Sequence, residues 1–115
     1  MDEGTLPDFA EAVLDVVDAV PAGKVTTYGR VAALLAGAGL RGGGPRAVGA
    51  VLSRYGAAVP WWRVCPVDGR PGAHPEEARR RWSEEGTPLR GRVGEERVDV
   101  DAALAELRLP EWVGR

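Results

Sequence analysis

Cysteine and histidine are nearly absent: one residue of each, Cys65 and His74, occurs in the chain. A lone cysteine excludes an internal disulfide and fits a reducing compartment. One cysteine and one histidine fall short of the ligand set of a Cys/His metal site, so no metal and no other cofactor is expected. Long apolar runs are also missing. No segment approaches the roughly 18 residues of a membrane span, and no apolar stretch follows a basic N-terminus. These absences lead us to expect a soluble, cytoplasmic protein without a membrane partner. One further absence is local. Between Ala19 and Val67 there is no aspartate or glutamate, whereas Lys24, Arg30, Arg41, Arg46, Arg54 and Arg63 all fall in that window.

That last gap changes the reading of the net charge of −2, which taken alone argues against a nucleic-acid partner. Phosphate is bound by clustered Lys and Arg, so the local field counts for more than the total. A solvated basic face without a ligand fits the same pattern. The 115 residues have the size of one domain, 1–115, and 44% hydrophobic content is enough for a core. The 16 glycines and 9 prolines imply short elements with sharp ends.

Helical spacing of Phe9, Val13, Val16, Val17 and Val20 predicts a helix over Thr5 to Val20, stopped by Pro21-Ala22-Gly23. Lys24-Val25-Thr26 reads as a short extended piece. Thr27 is placed to cap a second helix, Tyr28 to about Ala36, with Val31, Leu34 and Leu35 buried. Gly37 to Gly44 is a glycine-heavy connection containing Arg41. Pro45 suits the first turn of a third helix running to about Tyr55, since its missing N–H is not needed there. Helix, glycine-rich connection, helix is the outline of a helix-turn-helix.

The third helix divides its faces unusually. Val48, Val51 and Leu52 turn to a core, while Arg46, Gly49, Ala50 and Ser53 share the opposite side. Two tiny residues and a serine leave a flat face, suited either to close approach of DNA or to another helix. A helix that reads major-groove bases would carry long amides and arginines instead.

Further on, "VPWWRV" (Val59 to Val64) forms a loop or short strand, and Asp68-Gly69 marks a turn. Pro75 to Glu85 reads as a helix with Glu76 and Glu77 in its first turn, Trp82 as its apolar contact and Gly86 beyond its end. A hairpin over Leu89 to Val100 and a short helix over Asp101 to Leu107 complete the chain. Trp82 and Trp112 are expected in the core.

In order, "VPAGKVTTYGRVAALLAG", "PRAVGAVL", "VPWWRV" and "RRRWSEEGTPL" resemble the C-terminal domain of O6-alkylguanine-DNA alkyltransferases. The resemblance extends from about Leu6 to Leu89, with 90–115 left as a C-terminal extension. It implies a mainly α fold with short strands: a winged-helix-like, helix-turn-helix DNA-binding domain of the alkyltransferase C-terminal type. The family's motif is Pro-Cys-His-Arg-Val, in which the cysteine accepts the alkyl group and the histidine helps form its thiolate. Here Pro60, Arg63 and Val64 match, but Trp61 stands at the cysteine and Trp62 at the histidine. Neither indole can take the alkyl group at a useful rate or act as a base, so no catalytic residue is expected.

The pattern is similar to that of the alkyltransferase-like branch, non-enzymatic proteins that bind O6-alkylguanine in double-stranded DNA. They flip it and present it to nucleotide excision repair proteins. The branch typically keeps a histidine after its tryptophan, so Trp62 is a departure. By this resemblance Tyr28 would push on the phosphate beside the target nucleotide, and Arg46 would fill the stack left by the base. Gly49, Ala50 and Ser53 would form the minor-groove surface, with Thr27 and Arg41 also on the DNA side. Trp61, Pro60, Arg63, Arg70 and Tyr28 would surround the lesion, Arg63 by supporting the loop. The stretch "CPVDGRPGAHP" is shorter than the substrate-covering loop of the enzymes, which implies a more open pocket. A monomer is expected.

Three other readings remain open on the residues. Cys65 could be a relocated acceptor paired with His74, although a buried, inert thiol is the commoner case. A sequence-specific transcriptional regulator shares the helix-turn-helix outline, against the flat face and the lack of a dimerisation heptad. The four tryptophans could also form a partner surface.

Overall fold

A computed structural model describes residues 7–114. The first helix, α1 (Asp8–Asp18), buries Ala10, Ala12, Val13, Val16 and Val17, the side its spacing marked as apolar. The expected start at Thr5 lies outside the described residues. Strand β1 (Thr26–Thr27) leads directly into α2 (Tyr28–Gly37), and the Thr27 side chain accepts a hydrogen bond from the Arg30 N–H at 3.2 Å. That bond satisfies one of the orphan donors of the first turn and starts the helix at Tyr28. Helix α3 (Pro45–Tyr55) begins at its proline, as its sequence implies. Helices α1, α2 and α3 enclose one core, built on Val13, Val16, Val17, Val31, Leu35, Val48 and Leu52. Gly42, in the α2–α3 connection, lies on the Phe9 ring so closely that any Cβ would collide with it, which draws the connection onto α1.

Trp61–Arg63 form a single 3₁₀ turn that feeds strand β2 (Val64–Cys65). Strand β2 pairs parallel to β1, with Thr26 opposite Val64 and Thr27 opposite Cys65. Helix α4 (Pro75–Glu85) ends where Gly86 takes a left-handed φ of 70°, a conformation in which glycine has no Cβ penalty. Its Trp82, 1% exposed, is the centre of a second core with Val25, Cys65, Ala78, Val98 and Ala103.

Strands β3 (Leu89–Arg90) and β4 (Arg97–Val98) form the expected antiparallel hairpin. The helix expected over Asp101 to Leu107 is only one turn, α5 (Val100–Ala103). The chain becomes extended at Leu104 because its backbone is claimed by Val25. The Val25 N–H donates to the Ala103 carbonyl at 2.9 Å, and the Ala105 N–H donates to the Val25 carbonyl at 2.8 Å. A tertiary bridge therefore overrides local helix preference. Trp112 is also displaced from the expected core: it lies at the surface, its indole N–H donating to Asp15 Oδ2 at 2.8 Å. Among the described residues no helix is long and apolar enough to cross a membrane.

Candidate nucleic-acid interface and its pocket

The flat side of α3 faces outward. Arg46, Ala50 and Ser53 are exposed, Gly49 is partly so, and the atoms nearest to an added Cβ on Gly49 belong to the Tyr28 ring. Gly49 therefore passes the first residue of α2, while Arg46, Ala50 and Ser53 are left open to solvent. Arg46 stands in the first turn of α3, where the helix dipole is positive. Arg30, Arg41 and Arg54 are exposed as well, and none of these four arginines has a carboxylate partner among the described residues. Arg63 leaves the set, being largely enclosed and ion-paired.

Beside this face lies a cavity of about 270 Å³. Tyr28, Gly49, Ser53, Trp61, Trp62 and His74 line it, together with the buried Leu52, Val64, Ala78 and Trp82. The two indoles meet edge to face, with centroids 5.6 Å apart, and the His74 ring sits 5.7 Å from Trp61. Burial raises the Tyr28 phenol above its usual pKa, with a smaller push from Cys65, so the hydroxyl stays neutral and can donate.

The expected residues divide. Tyr28 and Trp61, expected around the lesion, line the cavity, and so do Gly49 and Ser53, expected on the minor-groove surface. Pro60 and Arg63 do not; they border a shallower depression on the outer side of the 3₁₀ turn. Arg70 is turned to solvent and bound to Asp68 at 2.9 Å, so it does not reach the cavity. Thr27 is buried, its hydroxyl spent on capping α2, and it has no surface to offer DNA. It acts by fixing Tyr28 one residue on.

The anchor of the site is Glu85, which the sequence reading did not single out, although it falls within "RRRWSEEGTPL". Its carboxylate accepts from Arg63 Nε at 3.0 Å and Nη2 at 2.6 Å, from Trp62 Nε1 at 3.0 Å and from the Gly23 N–H at 3.3 Å. Arg63 Nη1 also donates to the Val20 carbonyl at 2.8 Å, and Trp82 Nε1 donates to the Trp62 carbonyl at 2.7 Å. One carboxylate thus ties α4, the α1–β1 connection and the 3₁₀ turn together. His74, weighed from the sequence only as a partner for Cys65, lines the cavity instead. It is the one non-glycine described residue with positive φ, at 54°, and this strained backbone brings its ring to the cavity.

Cys65 lies apart. It is fully buried on β2, its thiol directed to the Thr26 carbonyl at 3.7 Å. Burial, with a smaller contribution from Asp68, pushes the thiol up to about 11. His74 is exposed against Trp61, so the two residues do not form the Cys–His pair left open above. No group of three or more His, Cys, Asp or Glu among the described residues is arranged to hold a metal.

A helix pair with a flat, outward second helix, free arginines and an aromatic pocket beside it defines a DNA-binding domain of helix-turn-helix type. The chain belongs to the family of the 6-O-methylguanine DNA methyltransferase DNA-binding domain, whose profile matches residues 8–87. A methylated-DNA–protein-cysteine methyltransferase of Methanothermobacter thermautotrophicus is 36% identical over 76 residues, which cover 64% of this chain and 40% of that protein. A DNA base-flipping protein of Escherichia coli K12 is 46% identical over 61 residues, 49% of this chain and 42% of that protein. The chain therefore matches less than half the length of either relative. Two crystal structures from S. pombe share the fold. Atl1 in complex with damaged DNA containing O6-carboxymethylguanine superposes with a TM-score of 0.71 at 24% identity, and ATL in complex with DNA with 0.70 at 26%. Each superposition covers 89% of this chain and 98% of the other.

Proposed function

We propose that the protein binds O6-alkylguanine in duplex DNA through its minor groove, flips the nucleotide into the Tyr28–Trp61 cavity and transfers no alkyl group. The bound lesion is then handed to nucleotide excision repair. The observation that carries this reading is the content of the cavity. Where the family motif has an acceptor cysteine and its histidine, two tryptophans line the cavity, and the Trp62 N–H is engaged by Glu85. The cysteine that exists is enclosed elsewhere and held as a neutral thiol. A thiolate is the competent nucleophile, so both requirements of transfer are missing.

What remains suits recognition. An extruded guanine offers a π face to Trp61, and stacking on an aromatic side chain is worth about 1–3 kcal/mol per base. Extrusion costs a few kcal/mol, and Arg46 in the vacated stack with backbone contacts from the α3 face can offset it. Support also comes from the DNA base-flipping protein among its relatives and from the damaged-DNA complex that shares its fold.

The test is a paired binding assay. Duplexes with one O6-methylguanine or a bulkier O6-alkylguanine should bind at least tenfold more tightly than the undamaged twin, in any flanking sequence, and the protein mass should not change. Preference for one sequence regardless of the lesion would mark a transcriptional regulator, and added alkyl mass an enzyme. Either overturns the reading. Reconstituted excision on the same duplex checks the handover: added protein should increase incision.

A further inference from the structure

The β3–β4 hairpin lies outside the matched family region, yet it is fastened to the loop whose Gly72, Ala73 and His74 line the cavity. The Val98 N–H donates to the Gly69 carbonyl at 2.8 Å, and Gly69, at φ 77°, is pressed against the Val98 carbonyl with no room for a Cβ. Three residues further on, the same loop passes Gly72 across the Tyr28 hydroxyl. On the other side, Arg79 of α4 donates to the Glu96 carbonyl at 3.1 Å. The hairpin thus stands at a fixed place next to the pocket.

Its two faces differ. Leu89 and Val98 are paired across the strands and turn to the second core, whereas Arg90 and Arg97 are paired on the opposite face and are exposed. Like charges directly opposite one another in an antiparallel pair destabilise it. The acids nearby do not relieve the pair fully. Glu96 is 3.8 Å from Arg79 and accepts from the Gly94 N–H, while Asp68 bonds Arg70 through both its N–H and its guanidinium. Asp68 also feels the Arg97 charge, which, after the Arg70 hydrogen bond and charge, helps hold its carboxyl below the usual range. Arg90 has no ion-pair partner among the described residues; neither does Arg92 at the turn, where Val93 is 95% exposed.

We infer that the outer face of this hairpin, centred on Arg90 and Arg97, is a second DNA contact that holds a backbone phosphate of the duplex flanking the pocket. A phosphate between the two guanidinium groups turns their repulsion into paired charge-assisted hydrogen bonds. The contact carries no base information, because phosphate contacts position a protein and do not specify sequence or lesion. This inference rests on the reading of the chain as a duplex-DNA binder.

The experiment is binding of the full chain and of Arg90→Gln/Arg97→Gln to the O6-methylguanine duplex and its undamaged twin across a salt series. Loss of one phosphate contact should weaken both complexes about tenfold near 0.1 M salt and flatten the slope of log K on log salt by about 1. The ratio between damaged and undamaged duplex should stay constant. Melting temperature should not fall, since the variant removes a repulsion, and this separates lost contact from lost fold. If the full chain binds DNA and the double variant keeps its affinity and slope, the inference is overturned while the proposed function stands. A changed ratio also overturns it, because the arginines would then act on the lesion. If the full chain binds neither duplex, both readings fall.

Discussion

Arg63 and Glu85 form a two-pronged ion pair, Nε to Oε1 at 3.0 Å and Nη2 to Oε2 at 2.6 Å, with side chains only 16% and 12% exposed. Paired parallel bonds of this kind fix orientation as well as charge. The relationship explains why an arginine of the pocket motif never reaches the pocket: it holds the 3₁₀ turn in place so that Trp61 and Trp62 can line it.

Glu85→Gln should therefore destabilise the fold by about 2–3 kcal/mol, because a mostly enclosed guanidinium loses its counter-charge. The effect has a pH signature. Burial alone would push the Glu85 carboxyl up, but hydrogen bonds from Arg63, Trp62 and the Gly23 N–H, with the Arg63 charge, hold it below the usual range. A depressed folded value means the stabilisation is complete above the unfolded value of about 4.3 and is lost as pH falls through the folded one. Urea denaturation of both proteins at neutral pH and near pH 3 should show the gap closing in acid. A gap independent of pH would detach it from this carboxylate.

Trp61→Ala should reduce affinity for the O6-methylguanine duplex by roughly tenfold or more, from the lost stacking surface, and leave undamaged duplex binding nearly unchanged. Trp61→Cys should not restore alkyl transfer. The adjacent motif position offers an indole N–H bound to Glu85 and no base to form the thiolate. The His74 ring, 5.7 Å from Trp61, is exposed and has no orienting side-chain hydrogen bond among the described residues. Mass measurement after incubation with alkylated DNA decides the second point.

Arg46→Ala should abolish flipping while retaining most of the affinity for undamaged DNA. Arg46 projects from the exposed first turn of α3 without a carboxylate partner among the described residues, so its removal has no structural cost there. Fluorescence of a base analogue beside the lesion reports extrusion. A signal as large as that of the unaltered protein would remove Arg46 from this role.

Cys65 should resist thiol reagents in the folded protein. With its pKa pushed up to about 11 by burial first and Asp68 second, roughly one thiol in a thousand is ionised at pH 8, and even that one is enclosed. Labelling with an aromatic disulfide should be slow in buffer and complete in urea. Rapid reaction of the native chain would contradict the burial.

Local chemistry alone marked out much of the frame. Thr27 as a cap, Pro45 at a first turn and Gly86 past a last one are decided by φ preference and orphan backbone groups, which act over a few residues. Periodicity named the buried side of α1 and the flat side of α3 for the same reason. The replaced pair Trp61-Trp62 was visible in the order of residues. Tertiary structure decided what depends on partners far along the chain. Glu85 is an anchor because Gly23, Trp62 and Arg63 converge on it from up to 62 residues away. Leu104 is extended because Val25 takes up the neighbouring backbone groups, and Arg70 is outside the pocket because Asp68 binds it. His74 reaches the pocket through a left-handed backbone that the rest of the fold holds in place. The sequence by itself determined the ends set by local chemistry, at Thr27, Pro45 and Gly86, and the residues that stand at the family motif. Only the folded chain decided which side chains share one cavity, because that depends on distances between residues that local propensity does not set.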